Sequence, residues 1–306
     1  MNPFTPGNTK LAFIGLGNMG SRIAARLLAA GYAVAVFDRN PAKMDALRAQ
    51  GATLGDSPAA LAESVQVVLS CLTDDQSVRD VYYGPGGILA KAHRELVILE
   101  MSTVSPATSR ELAQQASGSG VQVLDVAISG STPAVEAGTL TLLAGGNPDV
   151  FAAGLPIFQA IAKKYFHLGP SGAGTTMKLV VNSILGVGMQ VIAEAAALGE
   201  KAGLSRDVLL QVLSQTAVIS PAHAGKLPKA ARDDYAPQFP FALMNKDLRL
   251  ALQLASEVDA LMPATAASYQ TSSEALPEHG DQDFSVIVKF MEQLSAQKGS
   301  SRSAAR

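Results

Sequence analysis

The sequence predicts an α/β protein of two domains, in which a parallel sheet covered by helices is followed by an all-helical domain. Up to about residue 170, short apolar runs alternate with amphipathic segments, a pattern typical of β-α units whose strands are buried on both faces. After this point the strand-like runs stop, and Gly174–Ala202 contains no proline and is rich in Ala, Leu and Val. A helix over this stretch is about 40 Å long. We expect it to join a first domain at 10–171 to a second at 172–297.

Each predicted strand of the first domain is a short apolar run. The first run, Leu11–Leu16, is followed by a helix over Asn18–Ala30, because apolar residues recur there at helical spacing and Gly31 is a typical helix stop. A second helix, Pro41–Gln50, begins with proline in its first turn. Two further helices are predicted at Ser77–Tyr82 and Pro106–Ala116. The other strands are predicted at Ala33–Phe37, Val65–Leu72, Leu96–Ser102, Val121–Val126, Thr139–Ala144 and Tyr165–Leu168.

The second domain is predicted to be entirely helical. After the long helix, further helices are expected at Ser205–Thr216, Asn245–Val258, Pro263–Glu274 and Phe284–Ala296. Four prolines make Ser220–Phe241 an irregular connection with short helical pieces. Residues 1–9 and 298–306 are expected to be flexible. The small, polar and basic character of the last residues is typical either of a frayed terminus or of a tail that binds nucleic acid or membrane.

Composition restricts the function further. With 306 residues, 48% of them hydrophobic, and a net charge of -2, the chain can bury a large core and has no basic excess for nucleic acid. One cysteine forms no internal disulfide, which favours a reducing compartment, and we expect the cytoplasm. The four histidines and Cys71 lie far apart, so no metal site is expected. No signal peptide and no membrane span are expected either, since the apolar stretches are interrupted before about 18 residues.

The motif Gly15-Leu16-Gly17-Asn18-Met19-Gly20 directly follows a predicted strand and opens a predicted helix. In that context a G-x-G-x-x-G sequence predicts a dinucleotide site. The first glycine permits a tight turn, the second lets the backbone approach the pyrophosphate, and the third lets helix and strand pack closely. The alternative is a tight turn that binds no ligand. All six residues are predicted cofactor contacts.

The end of the second strand should decide between NAD and NADP. Asp38 is placed to accept hydrogen bonds from the ribose hydroxyls and would repel a 2′-phosphate. The neighbouring Arg39 is suited to stack on the adenine or to pair with that phosphate. Asn40 is a further predicted cofactor contact, and Lys43 adds positive charge one turn later. The alternative for Arg39 and Lys43 is that both are ordinary solvated residues at a helix start. These signals conflict, so the preference stays open and we expect both cofactors to be used.

A second candidate site follows the strand Val121–Val126. The turn Ser129-Gly130-Ser131 offers hydroxyl groups and backbone N–H groups, which suit a substrate carboxylate. Its position at the carboxyl end of a parallel strand is where open α/β sheets bind ligands. Taken alone, the turn is better explained as an ordinary turn than as a binding site.

Two pairs of polar residues lie in the predicted helical domain. Lys178 and Asn182 are four residues apart and therefore share one face of the long helix, amid apolar neighbours that predict partial burial of the lysine. The alternative is a lysine whose ammonium group reaches solvent along an apolar surface. Lys246 and Asp247 are adjacent, so we expect them to face different ways on their helix, and they also fit a solvated helix start.

Together these motifs resemble the β-hydroxyacid dehydrogenase family over about residues 11–290. The resemblance implies a Rossmann domain, a helical domain, and reversible hydride transfer between NAD(P) and a short hydroxy acid or its semialdehyde. It implies that Lys178 is the catalytic acid/base and that Asn182 supports it. It places the substrate on Ser129 and Gly130, and Ser131 is a further predicted substrate contact. The motifs that carry it are GLGNMG (15–20), ISG (128–130), GAGTTMKLVVN (172–182) and KDLRLA (246–251).

The same resemblance implies contacts from other segments. Thr103 is expected to meet the nicotinamide and Lys246 to close over the cofactor, with Asp247 beside it at the substrate. Leu72 and Thr73, where the strand Val65–Leu72 ends, are further predicted cofactor contacts. It also implies a homodimer or homotetramer built on the long helix, although the apolar face of that helix fits an intrachain core equally well.

Several stretches are most similar to the glyoxylate and succinic semialdehyde reductase branch, in which Phe239 lines the substrate site. They are EMSTVS (100–105), SGSTPAVEAGTL (129–140), MKLVVN (177–182), FPFALMNKDLRLA (239–251) and DQDFSVI (281–287). Three residues depart from the family pattern: Ala127 replaces a proline, Ser131 a glycine or threonine, and Asp38 the asparagine of NADPH-preferring members. The alternatives are a 3-hydroxyisobutyrate dehydrogenase, a non-catalytic dinucleotide-binding protein, and an imine reductase, against which Lys178 argues.

Overall fold

The computed structural model describes the backbone of residues 1–303 and the side chains of residues 1–296. The chain forms two compact units, one comprising Met1–Lys178 and one beginning at Leu179. The first unit contains strands β1 (Lys10–Ile14), β2 (Ala33–Phe37), β3 (Thr53–Leu54), β4 (Val67–Ser70), β5 (Val97–Glu100), β6 (Gln122–Ser129), β7 (Leu140–Gly146) and β8 (Ala162–His167). Its helices are α1 (Gly20–Ala29), α2 (Ala42–Arg48), α3 (Pro58–Ser64), α4 (Asp75–Tyr83), α5 (Pro106–Ser117), α6 (Thr132–Glu136) and α7 (Pro148–Ile161).

The eight strands form one sheet in the order β3-β2-β1-β4-β5-β6-β7-β8. The order reverses at β1, as in Rossmann folds, so the predicted fold class is confirmed. One detail of the prediction is wrong, because β7 pairs with β6 in the antiparallel direction. Only residues 130–139 separate these two strands, and a parallel crossover needs about a dozen residues or more.

Strand β1 shows how the sheet is buried on both faces. Successive side chains of a strand point to opposite faces, and here Leu11 and Phe13 enter one apolar cluster while Ala12 and Ile14 enter the other. All four are essentially inaccessible to solvent. The apolar run therefore forms a strand covered by helices on each side, and its carboxyl end is held in a fixed position.

The N-terminal segment is anchored. The backbone N–H of Phe4 donates to the carbonyl of Ala153, the hydroxyl of Tyr32 donates to the carbonyl of Phe4, and the Phe4 ring is buried in the core of the first unit. The sequence predicts that residues 1–9 are flexible, and the structure places the Phe4 ring in the core because burial of this apolar side chain is favourable.

The second unit is helical. It contains most of α8 (Ala173–Lys201), followed by α9 (Arg206–Gln215), α10 (Pro221–Ala224), α11 (Leu227–Ala230), α12 (Phe241–Glu257), α13 (Pro263–His279) and α14 (Ile287–Ser303). By length and composition α8 is apolar enough to cross a membrane, but half of that stretch is buried inside the protein, as in a core helix. Helix α14 continues into the segment 298–306 that the sequence predicts to be flexible, and the end of that segment lies outside the described residues.

Candidate active site

The glycine motif forms an open turn between β1 and α1. Gly15 has a φ of +91°, and a side chain there would overlap the carbonyl of Cys71. A side chain at Gly20 would overlap the carbonyl of Gly15, whereas Gly17 is exposed with nothing within 4 Å of an added Cβ. Among the described residues no side chain caps the start of α1, and its first turn carries no acidic residue. The exposed backbone at Gly17 and the positive end of the helix dipole fit the pyrophosphate of a dinucleotide.

Asp38 ties the end of β2 to this turn. One of its carboxylate oxygens accepts a hydrogen bond from the N–H of Leu16 at 2.7 Å, and the other accepts from the N–H of Asn40 at 2.9 Å. Lys43 Nζ lies 3.8 Å from the second oxygen, and the Arg39 side chain is exposed. The carboxylate that disfavours a 2′-phosphate and the cations that favour it are thus grouped together, and the preference for NAD or NADP stays open.

A buried carboxyl group holds the loops that follow β4 and β5. Glu100 accepts hydrogen bonds from the N–H and the hydroxyl of Ser102 and from the hydroxyl of Ser70, and Ser102 Oγ in turn accepts from the N–H of Leu72 at 2.7 Å. Burial raises the pKa of Glu100 to about 7, although these hydrogen bonds offset part of the effect. The loops after β4 and β5 are therefore joined by one group of hydrogen bonds. These loops carry the predicted cofactor contacts Leu72, Thr73 and Thr103. The signal in the sequence was a glutamate ending an otherwise apolar strand.

The predicted carboxylate site lies where β6 ends. Ser129 is the last residue of that strand, and Gly130 has a φ of +138° and no room for a side chain beside Leu140. The following helix α6 is tied to α1, because Arg26 donates to the carbonyl of Glu136 at 2.9 Å. The turn that carries Ser129 to Ser131 is therefore held by the same helix that begins at the glycine motif.

The start of α8 is fastened to β6 by Asp125, to which the sequence analysis gave no role. One carboxylate oxygen of Asp125 accepts from the N–H of Gly172 at 2.8 Å, and the other accepts from the N–H of Thr175 at 2.8 Å. The side chain is only 2% exposed, and burial raises its pKa while the two N–H groups lower it. The signal was again an acidic residue within an apolar strand, Val121–Val126.

Lys178 is buried on the first part of α8, with only 8% of its surface exposed. That burial argues against a lysine that reaches along the surface to solvent. One turn later Asn182 is 1% exposed, and its Nδ2 donates to Asp247 at 2.6 Å. Asn182 Oδ1 is buried and has no hydrogen-bond partner among the residues whose side chains are described. An unsatisfied buried acceptor is costly unless a ligand or an ammonium group satisfies it.

Asp247 contacts two other predicted site residues of the second unit, Asn182 and Lys246. Its carboxylate lies 3.1 Å from Lys246 Nζ, so these two neighbours, which are expected to face different ways on the helix, form an ion pair. The backbone N–H of Phe239 donates to Asp283, which is paired with the buried Lys226 at 2.6 Å. This ion pair, which no sequence motif indicated, holds the segment that carries Phe239.

Comparison with known proteins agrees with these features. Residues 10–169 match the family described as the NAD-binding domain of 6-phosphogluconate dehydrogenase, and residues 172–291 match the NAD-binding domain of NADP-dependent 3-hydroxyisobutyrate dehydrogenase. The chain is 39% identical to 3-hydroxyisobutyrate dehydrogenase of Pseudomonas aeruginosa, covering 92% of this chain and 98% of the relative. It is 34% identical to glyoxylate/succinic semialdehyde reductase 1 of Arabidopsis thaliana, covering 92% and 97%.

Solved structures agree as well. The 3-hydroxyisobutyrate dehydrogenase of Mycobacterium tuberculosis, determined with L-serine, superimposes with a TM-score of 0.83 at 31% identity, over 92% of this chain and 99% of the other. The open glycine turn, the family matches over both domains and the full-length similarity to these enzymes lead to one conclusion: the chain belongs to the 3-hydroxyisobutyrate dehydrogenase family of NAD(P)-binding hydroxyacid dehydrogenases.

Proposed function

We propose that the protein catalyses reversible hydride transfer between NAD(P)H and a short semialdehyde or 2-oxo acid, with glyoxylate and succinic semialdehyde as the leading substrates. The observation that carries this proposal is the buried Lys178 one helical turn from the unsatisfied oxygen of Asn182. A buried ammonium group and a buried, unpaired acceptor are the groups needed to exchange a proton with an alcohol oxygen.

Lys178 acts as the general acid in the reduction. A bound dinucleotide supplies the hydride to the carbonyl carbon of the substrate. The carbonyl oxygen then gains negative charge, and the ammonium group of Lys178 stabilises it and donates a proton to form the hydroxyl. In the oxidation the neutral amine accepts that proton. Asn182 holds the hydroxyl or the amine through its free oxygen, while its nitrogen is fixed on Asp247.

Ser129 and the turn after it orient the substrate. We assign the substrate carboxylate to the Ser129 hydroxyl and to the backbone N–H groups of residues 130–131, which suit an anion. Holding the reacting atoms in place contributes about 7–11 kcal/mol to catalysis in favourable cases. We assign Phe239 to the lining of the substrate site. Lys246 closes over the cofactor, and Asp247 lies beside it at the substrate.

The 39% identity to the Pseudomonas aeruginosa enzyme favours a second candidate, oxidation of 3-hydroxyisobutyrate to methylmalonate semialdehyde. The hydride-transfer chemistry is the same, but this substrate is branched and its carbonyl lies at a different distance from the carboxylate. Initial rates with NADPH and NADH against glyoxylate, succinic semialdehyde and methylmalonate semialdehyde separate the candidates. The leading proposal requires that kcat/KM for glyoxylate or succinic semialdehyde exceeds that for methylmalonate semialdehyde. The opposite order would establish the second candidate.

We also propose self-association through α8. Val180, Ile184, Val191 and Leu198 are exposed apolar residues that share one side of this helix, and Ile184 is 69% exposed. Apolar stripes of this kind mark protein interfaces. A homodimer or homotetramer built on this stripe, in the cytoplasm and without a nucleic-acid or membrane partner, is the assembly that we propose.

Replacing Lys178 with alanine tests the catalytic proposal. We expect kcat to fall by about 10²-fold or more, as is typical for a lost general acid, while the affinity for the dinucleotide is unchanged. Arg249→Ala is the control, since Arg249 is exposed on α12 and outside the proposed contacts. A Lys178→Ala enzyme that keeps more than about a tenth of the normal kcat would contradict the mechanism, which predicts a far larger loss.

A further inference from the structure

We infer that Asp125 is a positioning residue for Lys178, because it fixes the first turn of the helix that carries the lysine to the strand that carries Ser129. The inference rests on the proposed function of Lys178. It adds a residue whose own side chain is assigned no contact with substrate or cofactor. Both of its oxygens are occupied by the N–H groups of Gly172 and Thr175, each at 2.8 Å.

The geometry of β6 explains the coupling. Asp125 and Ser129 are four residues apart on one strand, so their side chains lie on the same face of the sheet, about 13 Å apart along the strand. Thr175 precedes Lys178 by three residues, or about 4.5 Å along the helix axis. Strand β6 thus carries the proposed carboxylate site and also holds the first turn of α8, the helix that carries Lys178.

The start of α8 also packs tightly against the strands. A side chain at Gly174 would lie 2.8 Å from the carbonyl of Asp125 and would overlap the carbonyl of Leu143. A side chain at Gly145 would lie 2.8 Å from the Asp125 carboxylate. Helix and strand therefore meet at backbone distance. Under such packing the direction of the helix depends on the two hydrogen bonds, and a misplacement of about 1 Å can slow a reaction about 10²-fold.

The chemistry of the contact explains why the residue is aspartate. Two N–H groups need two acceptors, and a carboxylate provides both, whereas an asparagine provides one oxygen and one NH₂ group. An Asp125→Asn variant therefore keeps the shape of the side chain and turns one hydrogen bond into a repulsive contact between two donors. The variant should allow folding while loosening the first turn of α8.

A double-mutant cycle with Lys178→Ala tests the inference, with the rate of a single hydride transfer measured by stopped-flow absorbance. We expect Asp125→Asn to slow this rate about 10-fold or more in the otherwise native protein, with the dinucleotide Kd unchanged. In the Lys178→Ala background we expect the same substitution to change the rate less than about threefold, because a residue that acts through Lys178 has no effect once the lysine is gone.

Asn147→Ala is the matched control, since Asn147 accepts a backbone hydrogen bond at 2.9 Å at the start of a different helix, α7, in the same unit. We expect it to lower the melting temperature without slowing hydride transfer. Equal effects of Asp125→Asn in both backgrounds, or no effect in the native background, would overturn the inference. Should Lys178→Ala alone lose less than tenfold, the proposed function fails instead, so the two failures are distinguishable.

Discussion

Glu100 gives the protein a pH-dependent stability whose size follows from its surroundings. The carboxyl group is fully buried at the end of β5, and burial raises its pKa from an ordinary value of 4.5 to about 7. The folded protein therefore binds this proton more tightly than the unfolded chain does. The contribution of Glu100 to the free energy of unfolding is fully present below about pH 4.5 and is lost as the pH rises through about 7.

The difference between the two pKa values corresponds to about 3 kcal/mol, since one pKa unit is about 1.4 kcal/mol. We predict that replacing Glu100 with glutamine removes this contribution, because the amide keeps the size of the side chain and carries no charge at any pH. Urea unfolding of both proteins, followed by far-ultraviolet circular dichroism at pH 4.5, 6, 7 and 8, measures the difference in unfolding free energy. That difference should change by about 3 kcal/mol across the series, in favour of the variant at high pH.

The matched control is Glu95→Gln, which alters an exposed glutamate in the loop before the same strand. We expect it to change the unfolding free energy by less than about 0.5 kcal/mol at every pH. A parallel change in the stability of Glu100→Gln and the native protein between pH 4.5 and 8 would contradict this prediction. That result would mean that Glu100 binds its proton equally well in the folded and unfolded states.

Two further predictions concern the cofactor and the assembly. Asp38→Asn removes the negative charge beside Arg39 and Lys43. The ratio of kcat/KM for NADPH to kcat/KM for NADH should therefore rise about tenfold or more. An unchanged ratio would exclude Asp38 as a determinant of the cofactor preference. Ile184→Glu places a charge in the exposed stripe of α8 and should shift the mass measured by light scattering towards the monomer. Leu261→Glu, at an exposed apolar residue outside α8, should not.

The order of strands and helices could be predicted because it depends on local pattern. Continuous apolar runs predicted the strands of the first unit except the two-residue strand β3, and the prediction of Ala33–Phe37 matches β2 residue for residue. The glycine motif was informative because the conformation at Gly15 and the overlap at Gly20 depend on residues within the same turn. The long helix α8 was predicted from uninterrupted composition alone.

The elements that could not be predicted depend on more distant relations. Helix α7 was missed because Pro156 lies inside it and discourages a helical interpretation of Pro148–Ile161, although Asn147 caps its first turn. The direction of β7 depends on the length of one connection. The roles of Asp125 and Glu100 depend on partners on other strands and loops, with 47 residues separating Asp125 from Gly172. A contact between residues so far apart in the sequence produces no periodic pattern in either segment.

Three carboxyl groups of the first unit nevertheless share one physical role. Asp38 follows β2, Glu100 ends β5 and Asp125 lies within β6, and each accepts backbone N–H groups from a segment that carries predicted site residues. Removing a carboxylate from water is expensive, and hydrogen bonds from N–H groups offset that cost only while the loop keeps its shape. A loop movement that broke these hydrogen bonds would leave a carboxylate removed from water without its partners. The cost of that state opposes the movement. Each of the three carboxyl groups therefore holds a loop of the first unit in place, and Asp38 alone among them is also a predicted contact of the cofactor.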